Sequence, residues 1–286
     1  MIKIISDSAC DLKKAYTEQN NIGIVPFNII INEDTSLKDK IEIQSEELLE
    51  MMKNDSQFFA KTSQPSPDDY KIEFEKAAKQ GSDIICFTIT SELSGSYQSA
   101  EIAKKIIQEQ YDVDIRIVDS LSASLGQGIL IKKAVEMIQQ NKSLDEIEDY
   151  VNKIKLTGKI FLLVDTLKYL EKGGRISKSK RLIGNALSLK PILKLENGKL
   201  DIVDKVIGKK RAIKHLMKLV STEKNNAAKG YEYFVVHADS KQEASEIYDE
   251  LKTENNLPFD IETISPVLVC HSGNGSIAVG IVNTEA

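Results

Sequence analysis

The first 158 residues repeat one local pattern, in which a short apolar segment is followed by a loop rich in Ser and Thr and then by a helical segment. The apolar segments 82–90 and 113–120 are each followed by such a loop and helix, and residues 2–8 open the chain with a similar apolar segment. A further helix is predicted after Ser66 and Pro67, which are typical of a helix start, and it ends at Gly81. Apolar strands that alternate with helices predict an α/β fold, with a parallel, doubly wound sheet in this half of the chain.

Hydroxyl side chains follow the predicted strands. Ligands of such sheets bind at the carboxyl ends of the strands, and the helix N-termini at that edge attract anions. A single Ser or Thr before a helix is usually an N-cap, but several hydroxyl loops here end at one predicted edge. The pattern indicates a site that holds an anion. The residues concerned are Ser6, Ser8, Thr62, Ser63, Ser94, Ser96 and the serines within 120–124.

Motifs of the common enzyme classes do not occur in the chain. It has no GxGxxG, GxxxxGK[ST], HExxH or GxSxG sequence. The hydroxyl loops also lack an obvious base or activated nucleophile beside them. The sequence therefore predicts a binding protein, with no catalytic residue, metal or cofactor.

The pattern becomes less regular after about residue 158. Two alternating segments flank Glu196-Asn197-Gly198-Lys199, which is a strong β-hairpin signal. Antiparallel pairing is expected there. We therefore predict two domains, an α/β domain over residues 1–158 and an α+β domain with a mainly antiparallel sheet over residues 159–286.

Charge divides the chain at the same place. The 38 Lys and Arg residues and 43 Asp and Glu residues give a net charge of −5, which disfavours a general nucleic-acid binder. Residues 1–158 carry −9 and residues 159–286 carry +4, while residues 159–218 alone carry +11. Such a segment is either an ordinary solvated surface or one that steers an acidic partner or a phosphate.

Cysteine content and hydropathy indicate a cytoplasmic protein. Cys10, Cys86 and Cys270 are far apart and form no CxxC pair, so neither a disulfide framework nor a zinc site is expected. No targeting segment is predicted. Residues 263–284 carry no Asp, Glu, Lys or Arg, but Pro266 and the polar residues 271–275 divide them into two strand-length pieces, too short for a membrane helix.

Four cationic or titratable side chains are possible ligands of an anion: His215, His237, His271 and Arg175. His215 lies in a predicted basic helix and His237 ends a predicted strand, so surface and structural roles are expected for them. His271 is predicted at a strand end before a flexible turn, where its ring is equally suited to structure or to donation to a buried anion. Arg175 follows Gly173 and Gly174, where the backbone can approach a ligand closely.

Several short motifs, taken in order, resemble the DegV family of bacterial fatty-acid-binding proteins. The resemblance covers essentially the whole chain, and the occurrence of all seven motifs in one order makes it specific. The motifs are Ser6-Asp7-Ser8 with Asp11, Lys61-Thr62-Ser63-Gln64-Pro65-Ser66, Leu93-Ser94-Gly95-Ser96-Tyr97-Gln98-Ser99-Ala100, Asp119-Ser120 with Gly126-Gln127-Gly128, Tyr169-Leu170 with Lys172-Gly173-Gly174-Arg175-Ile176, Lys190-Pro191-Ile192-Leu193, and His271 with Gly273 and Gly275.

The resemblance implies that the chain binds one long-chain fatty acid in a tunnel between its two domains. Thr62 and Ser94 would hydrogen-bond the carboxylate, and His271 and Arg175 would complete the polar end. Supporting loop residues would be Ser63, Gly95 and Ser96.

The resemblance also implies a partner. Family members are the lipid-carrying subunit of a fatty acid kinase system, whose kinase subunit resembles dihydroxyacetone kinases and converts the carboxylate to an acyl phosphate. Lys209, Lys210 and Arg211 would dock that kinase, and contact with a membrane would be transient, for lipid exchange. Nucleic acid is not an expected partner.

The chain departs from the family pattern at a few places. Ser96 stands where Thr is frequent, Ser272 and Asn274 replace the usual Thr and Pro, and Ile207 occupies a place where Arg is frequent. Two alternatives remain: a small hydrolase or phosphotransferase that uses the hydroxyl loops, and a nucleic-acid-interacting protein that uses residues 168–214. The first lacks a nucleophile and base pair, and the second conflicts with the net charge.

Overall fold

A computed structural model describes residues 1–55, 57–176, 188–223, 230–253 and 255–285. Within these ranges the strands form three sheets. The first sheet is parallel throughout, in the order β2-β1-β6-β7, which confirms the predicted N-terminal sheet. Its strands are β1 (Ile2–Asp7), β2 (Gly23–Val25), β6 (Asp83–Thr88) and β7 (Ile115–Asp119).

Helices cover both faces of this sheet. One face packs on α3 (Pro67–Ala78) and α4 (Ser96–Gln108), and the other on α5 (Leu125–Gln139) and α6 (Leu144–Ile154). Helices α1 (Lys14–Gln19) and α2 (Ser45–Asn54) lie in the segments between the early strands. The predicted start of α3 is confirmed, because the Ser66 hydroxyl caps the Asp69 amide and Pro67 is in the first turn.

A small antiparallel sheet, in the order β4-β3-β5, was not predicted. It contains β3 (Asn28–Ile30), β4 (Ser36–Lys38) and β5 (Lys61–Ser63). Thr62 and Ser63 therefore lie on a strand and not in a loop as predicted. A strand of this length carries no recognisable pattern, and β5 forms because Thr62 pairs with Ile29 on β3.

The large sheet of the C-terminal half confirms the predicted antiparallel pairing. Its order is β10-β9-β8-β13-β11-β12, and only the β11–β12 pair is parallel. Asn197 and Gly198 both have positive φ values, 49° and 80°, in the predicted hairpin turn. The strands are β8 (Lys159–Leu163), β9 (Leu189–Glu196), β10 (Lys199–Ile207), β11 (Tyr231–His237), β12 (Glu262–Thr263) and β13 (Ile277–Asn283).

Helix α5 lies between the parallel sheet and the large sheet. The main apolar core joins Ile85 of the parallel sheet, Ile129 of α5 and Phe234 of the large sheet. The opposite face of the large sheet packs on α8 (Lys209–Glu223) and α9 (Lys241–Lys252). Since this core crosses from one half of the chain to the other, the division into residues 1–158 and 159–286 stays a proposal.

The prediction of a strand before His271 is wrong. Residues Pro266–Ser272 form a short helix, α10, with Pro266 in its first turn and Gly273 at φ 77° after its end. Pro favours the start of a helix and glycine accepts the left-handed conformation that ends one, so the boundaries follow from these two residues. Another short helix, α7 (Lys168–Lys172), packs against α10. Among the described helices, none has the length and apolar character needed to cross a membrane.

Candidate functional site

The best-supported candidate site centres on a contact between Thr62 and His271. Thr62 Oγ1 lies 2.8 Å from His271 Nε2, across 209 residues of sequence. Strand β5 presents Thr62, and the last turn of α10 presents His271. Helix α10 packs against β3 and β5, so the small sheet and the helix hold the two side chains together.

Gly173 packs directly against the His271 ring. A Cβ atom on Gly173 would lie 2.2 Å from His271 Nδ1 and 2.7 Å from Cε1, far closer than real contacts allow. Gly173 follows α7 and has φ −75°, so the close approach, not an unusual backbone angle, requires glycine here. The ring of His271 is therefore held between Thr62 on one edge and a bare backbone on the other.

Burial and the nearby positive charge of Arg175 lower the pKa of His271 to about 3, so the ring is neutral at pH 7. Nδ1 is buried and has no hydrogen-bond partner among the described residues. A buried N–H without an acceptor is costlier than an unused lone pair, so the ring proton belongs on Nε2. Nε2–H then donates to Thr62 Oγ1, and the Thr62 hydroxyl keeps its own proton for another acceptor.

Gln64 joins Thr62's segment to the loop before α4. The amide N–H of Gly95 donates to Gln64 Oε1 at 3.1 Å, and Gln64 Nε2 donates to the Ser99 hydroxyl at 3.4 Å. Gly95 is required for this approach, because a Cβ there would lie 2.4 Å from the Gln64 amide. Gln64 was quoted in the family motif but was not predicted as a site residue.

Ser94 lies in the same loop and is buried. Its Oγ accepts a hydrogen bond from the Ser96 amide at 3.2 Å, a local contact of the kind expected for a Ser before a helix. Within the described residues the Ser94 hydroxyl proton has no acceptor. Ser94 can therefore serve the turn and still donate to a ligand.

Arg175 connects this loop to the segment after α7. Its Nε donates to the Leu93 carbonyl at 3.0 Å, and its Nη1 donates to the Gly173 carbonyl at 2.5 Å. Partial burial lowers the pKa of its guanidinium, which nevertheless stays charged at neutral pH.

These contacts close on themselves. His271 contacts Thr62, and Gln64, two residues further along, accepts a hydrogen bond from Gly95. Arg175 donates to Leu93 of the same loop and to Gly173, and Gly173 packs against His271. We call this group the polar ring. Its members are Thr62, Gln64, Leu93, Ser94, Gly95, Gly173, Arg175 and His271.

Most of the other predicted hydroxyls serve the fold. Ser8 donates to Asp39, Ser96 donates to Asp7, and Ser124 donates to Asp11. All three carboxylates are buried, so these serines satisfy internal charges. Ser63 is exposed and its Oγ lies 3.3 Å from the Gln64 carbonyl.

The predicted docking residues lie at the start of α8. Lys209 Nζ contacts Glu243 Oε1 at 3.0 Å and the Ser240 hydroxyl at 2.9 Å, whereas Lys210 and Arg211 are exposed. In the turn after His271, the Gly275 amide donates to the Ala238 carbonyl at 2.8 Å, which joins that turn to the segment 238–240. The start of α8 therefore lies at the same edge of the large sheet as the polar ring. The other dense basic stretch, 172–181, lies outside the described residues from position 177 onward.

Aromatic side chains flank the polar ring. The rings of Phe59 and Tyr169 are stacked with centroids 6.4 Å apart, and Lys172 Nζ lies 5.3 Å from the Phe59 centroid. Tyr169 also packs beneath Gly273, next to α10. Phe59, Leu93 and Leu268 are partly buried against the main core. None of these apolar residues was predicted to be part of the site, and only Leu93 and Tyr169 lay within the family motifs.

A separate open cleft is lined by Asp83 and residues 108–114. Asp83 begins β6 and residues 108–114 lead into β7, so the cleft lies at the amino ends of the parallel strands, opposite the loop of Ser94. Within the described ranges, no group of three or more His, Cys, Asp or Glu residues is arranged to hold a metal ion.

The chain combines an α/β fold of three sheets with a partly buried polar ring between the small sheet, the α4 loop and two short helices. The chain belongs to the DegV family, whose model, described as an uncharacterised protein family, matches residues 1–284. A DegV domain-containing protein of Staphylococcus aureus strain COL is 33% identical over 284 residues, covering 98% of each chain.

Solved structures agree with this assignment. A stearic acid-binding protein from Eubacterium ventriosum has a TM-score of 0.93 at 30% identity, with 99% of both chains covered. DegV from Bacillus subtilis, described as a fatty acid binding protein, has a TM-score of 0.86 at 26% identity, with 99% of both chains covered.

Proposed function

We propose that this protein binds one long-chain fatty acid and holds its carboxylate at the polar ring. The observation that carries the proposal is the Thr62–His271 contact, which leaves the Thr62 proton free inside a partly buried polar site. Its support is the whole-length similarity to a protein described as binding stearic acid.

The donors of the polar ring suit a carboxylate. A buried carboxylate needs several hydrogen bonds, since an isolated buried charge is very costly. Thr62 and Ser94 would each donate a hydroxyl proton, and neutral His271 would act through Thr62. Among the described residues, Arg175 donates two of its five N–H groups to backbone carbonyls, and it supplies a positive charge nearby.

We further propose that the acyl chain runs in a tunnel between the two halves of the chain. The aromatic and aliphatic side chains beside the polar ring, Phe59, Leu93 and Leu268, support this direction because they pack on the core shared by both sheets. Each buried methylene contributes about 0.8 kcal/mol, so a tail of ~15 carbons contributes about 12 kcal/mol before the cost of association.

We also propose that the carboxylate is presented to a partner kinase for conversion to an acyl phosphate. Hydroxyl donors form no covalent bond with the carboxylate and leave its oxygens nucleophilic, whereas a close ion pair with Arg175 would weaken their attack on phosphate. Lys210 and Arg211 are exposed at the start of α8, at the same end of the large sheet as the polar ring. They would attract an acidic kinase surface.

The hydrolase alternative would use Thr62 as nucleophile and His271 as base. With a pKa of about 3, His271 is a weak base at neutral pH, and its Nδ1 faces Gly173 instead of an orienting carboxylate. The pair is better suited to hydrogen bonding than to proton abstraction.

The test is the lipid content of the purified protein, measured by native mass spectrometry and by mass analysis after organic extraction. Wild type should carry one noncovalent adduct of fatty-acid mass, and Thr62→Ala with Ser94→Ala should lose it. Ser221→Ala with Thr222→Ala removes two exposed hydroxyls whose hydrogen bonds among the described residues are to carbonyls of their own helix, and this matched control should keep the lipid. A double Thr62, Ser94 variant with full lipid content would place the carboxylate elsewhere.

A further inference from the structure

Asp7 is a fully buried carboxylate at the end of β1. Its Oδ2 accepts hydrogen bonds from the Ser96 hydroxyl at 2.7 Å and the Ile89 amide at 2.9 Å. Its Oδ1 accepts one from Gln127 Nε2 at 3.0 Å. With donors from three other segments, Asp7 is rigidly held, and the function proposed above assigns it no role.

The Ser96 side chain is fixed by two partners. Besides donating to Asp7, its hydroxyl oxygen lies 2.6 Å from the Tyr70 hydroxyl, and the residue has no exposed surface. Ser96 is also the first residue of α4, and Gly95 before it provides no side-chain cap. The Ser96 hydroxyl therefore links the start of α4 to Asp7 at the end of β1 in the parallel sheet.

The Ser96 backbone carries that constraint to Ser94. Its amide N–H donates to Ser94 Oγ at 3.2 Å, so a lone pair of the Ser94 oxygen is directed inward. The Ser94 proton must then point away from Ser96. Asp7, Ser96 and Ser94 form a chain of hydrogen bonds that begins at a buried carboxylate and ends at a free donor of the polar ring.

We propose that Asp7 is a positioning residue for ligand binding, which acts through Ser96 to aim the Ser94 hydroxyl at the ligand carboxylate. This inference rests on the proposed fatty-acid function and adds what orients the Ser94 hydroxyl in the site. Burial raises the pKa of Asp7 to about 6, so the carboxylate is mainly ionised at pH 7 and is a strong acceptor for the Ser96 hydroxyl.

The experiment compares the affinity of delipidated full-length protein for octadecanoic acid and for octadecan-1-ol, delivered from cyclodextrin. Ser96→Ala removes one hydroxyl and keeps the amide bond to Ser94, whereas Asp7→Ala also removes the acceptor of Ile89 and Gln127. Ser96→Ala is therefore the primary variant, with thermal unfolding as a check of the fold. We expect it to weaken acid binding about 3- to 10-fold, the range of one hydrogen bond, with no change for the alcohol.

A double-mutant cycle identifies the route of the effect. In a Ser94→Ala background, Ser96→Ala should have no further effect on acid binding, whereas in a Thr62→Ala background its effect should persist. Ser96→Thr, which keeps a hydroxyl, should restore most of the preference for acid over alcohol.

Two results would overturn the positioning role while the proposed function stands. One is an equal loss of acid and alcohol binding in Ser96→Ala, which is the result of a purely structural role. The other is an effect of Ser96→Ala that persists after Ser94 is removed. If wild type binds neither ligand, the proposed function fails, and this inference fails with it.

Discussion

Gly173→Ala offers a sharp test of the packing around His271. A Cβ at this position would lie 2.2 Å from His271 Nδ1, more than ~1 Å inside an ordinary contact. The His271 ring must rotate or the end of α7 must shift, and either movement breaks the bond between Nε2 and Thr62. Overpacking of this kind costs about 1–3 kcal/mol.

Replacing glycine by alanine also changes the backbone entropy, and this change stabilises the folded state, opposite to the overpacking. A net loss of stability would therefore point to the contact with His271. Gly173 has helical angles, φ −75° and ψ −11°, so alanine would by itself stabilise the folded state by about 0.4–1 kcal/mol. The expected net result is a loss of about 0.5–2 kcal/mol in the free energy of unfolding. In a chain of 286 residues, this lowers Tm by ~1–4 °C.

The assays are thermal unfolding of the lipid-free protein and affinity for octadecanoic acid. Gly158→Ala is the matched control, because its φ is −69° and the nearest atom to a new Cβ lies at an ordinary 3.4 Å. In a His271→Ala background, Gly173→Ala should lose most of its destabilising effect. A Gly173→Ala protein with raised Tm and wild-type affinity would refute the packing described here.

Two further predictions concern charge. Burial raises the pKa of Asp7 to about 6 and that of Asp39 to about 7, so each carboxylate lowers stability at neutral pH and this loss disappears as the pH falls toward the unfolded value near 3.8. The free energy of unfolding of Asp39→Asn, measured with urea, should therefore rise by about 2–3 kcal/mol relative to that of wild type between pH 5 and pH 8. If variant and wild type differ by the same amount at both pH values, the raised pKa is contradicted. If the proposed kinase partnership holds, neutralising Lys209, Lys210 and Arg211 should slow acyl-phosphate formation at low salt and leave lipid content unchanged. Since Lys209 is paired with Glu243, most of the slowing should appear in Lys210→Gln with Arg211→Gln alone, and an unaltered rate would exclude docking at this surface.

Local patterns were sufficient for much of the fold. The parallel sheet, the start of α3 at Ser66 and Pro67, and the turn at Asn197 and Gly198 were all predicted from sequence patterns. The start of α3 and the turn depend on interactions within a few positions of sequence, whereas the parallel sheet was predicted from the alternation of apolar segments and helices along the chain. The family motifs are likewise local, since they occur as short runs in a characteristic order.

The sequence by itself determined the class of fold and indicated several residues of the proposed site. Tertiary structure alone decided how they are used: Thr62 meets His271 across 209 positions, and Gly173 packs on that ring. It also decided that Ser96 bonds to Asp7 inside the protein, although its residue type equally suits a ligand. Propensities and caps are encoded by near neighbours, whereas these contacts depend on how distant strands and helices pack, which no local pattern specifies.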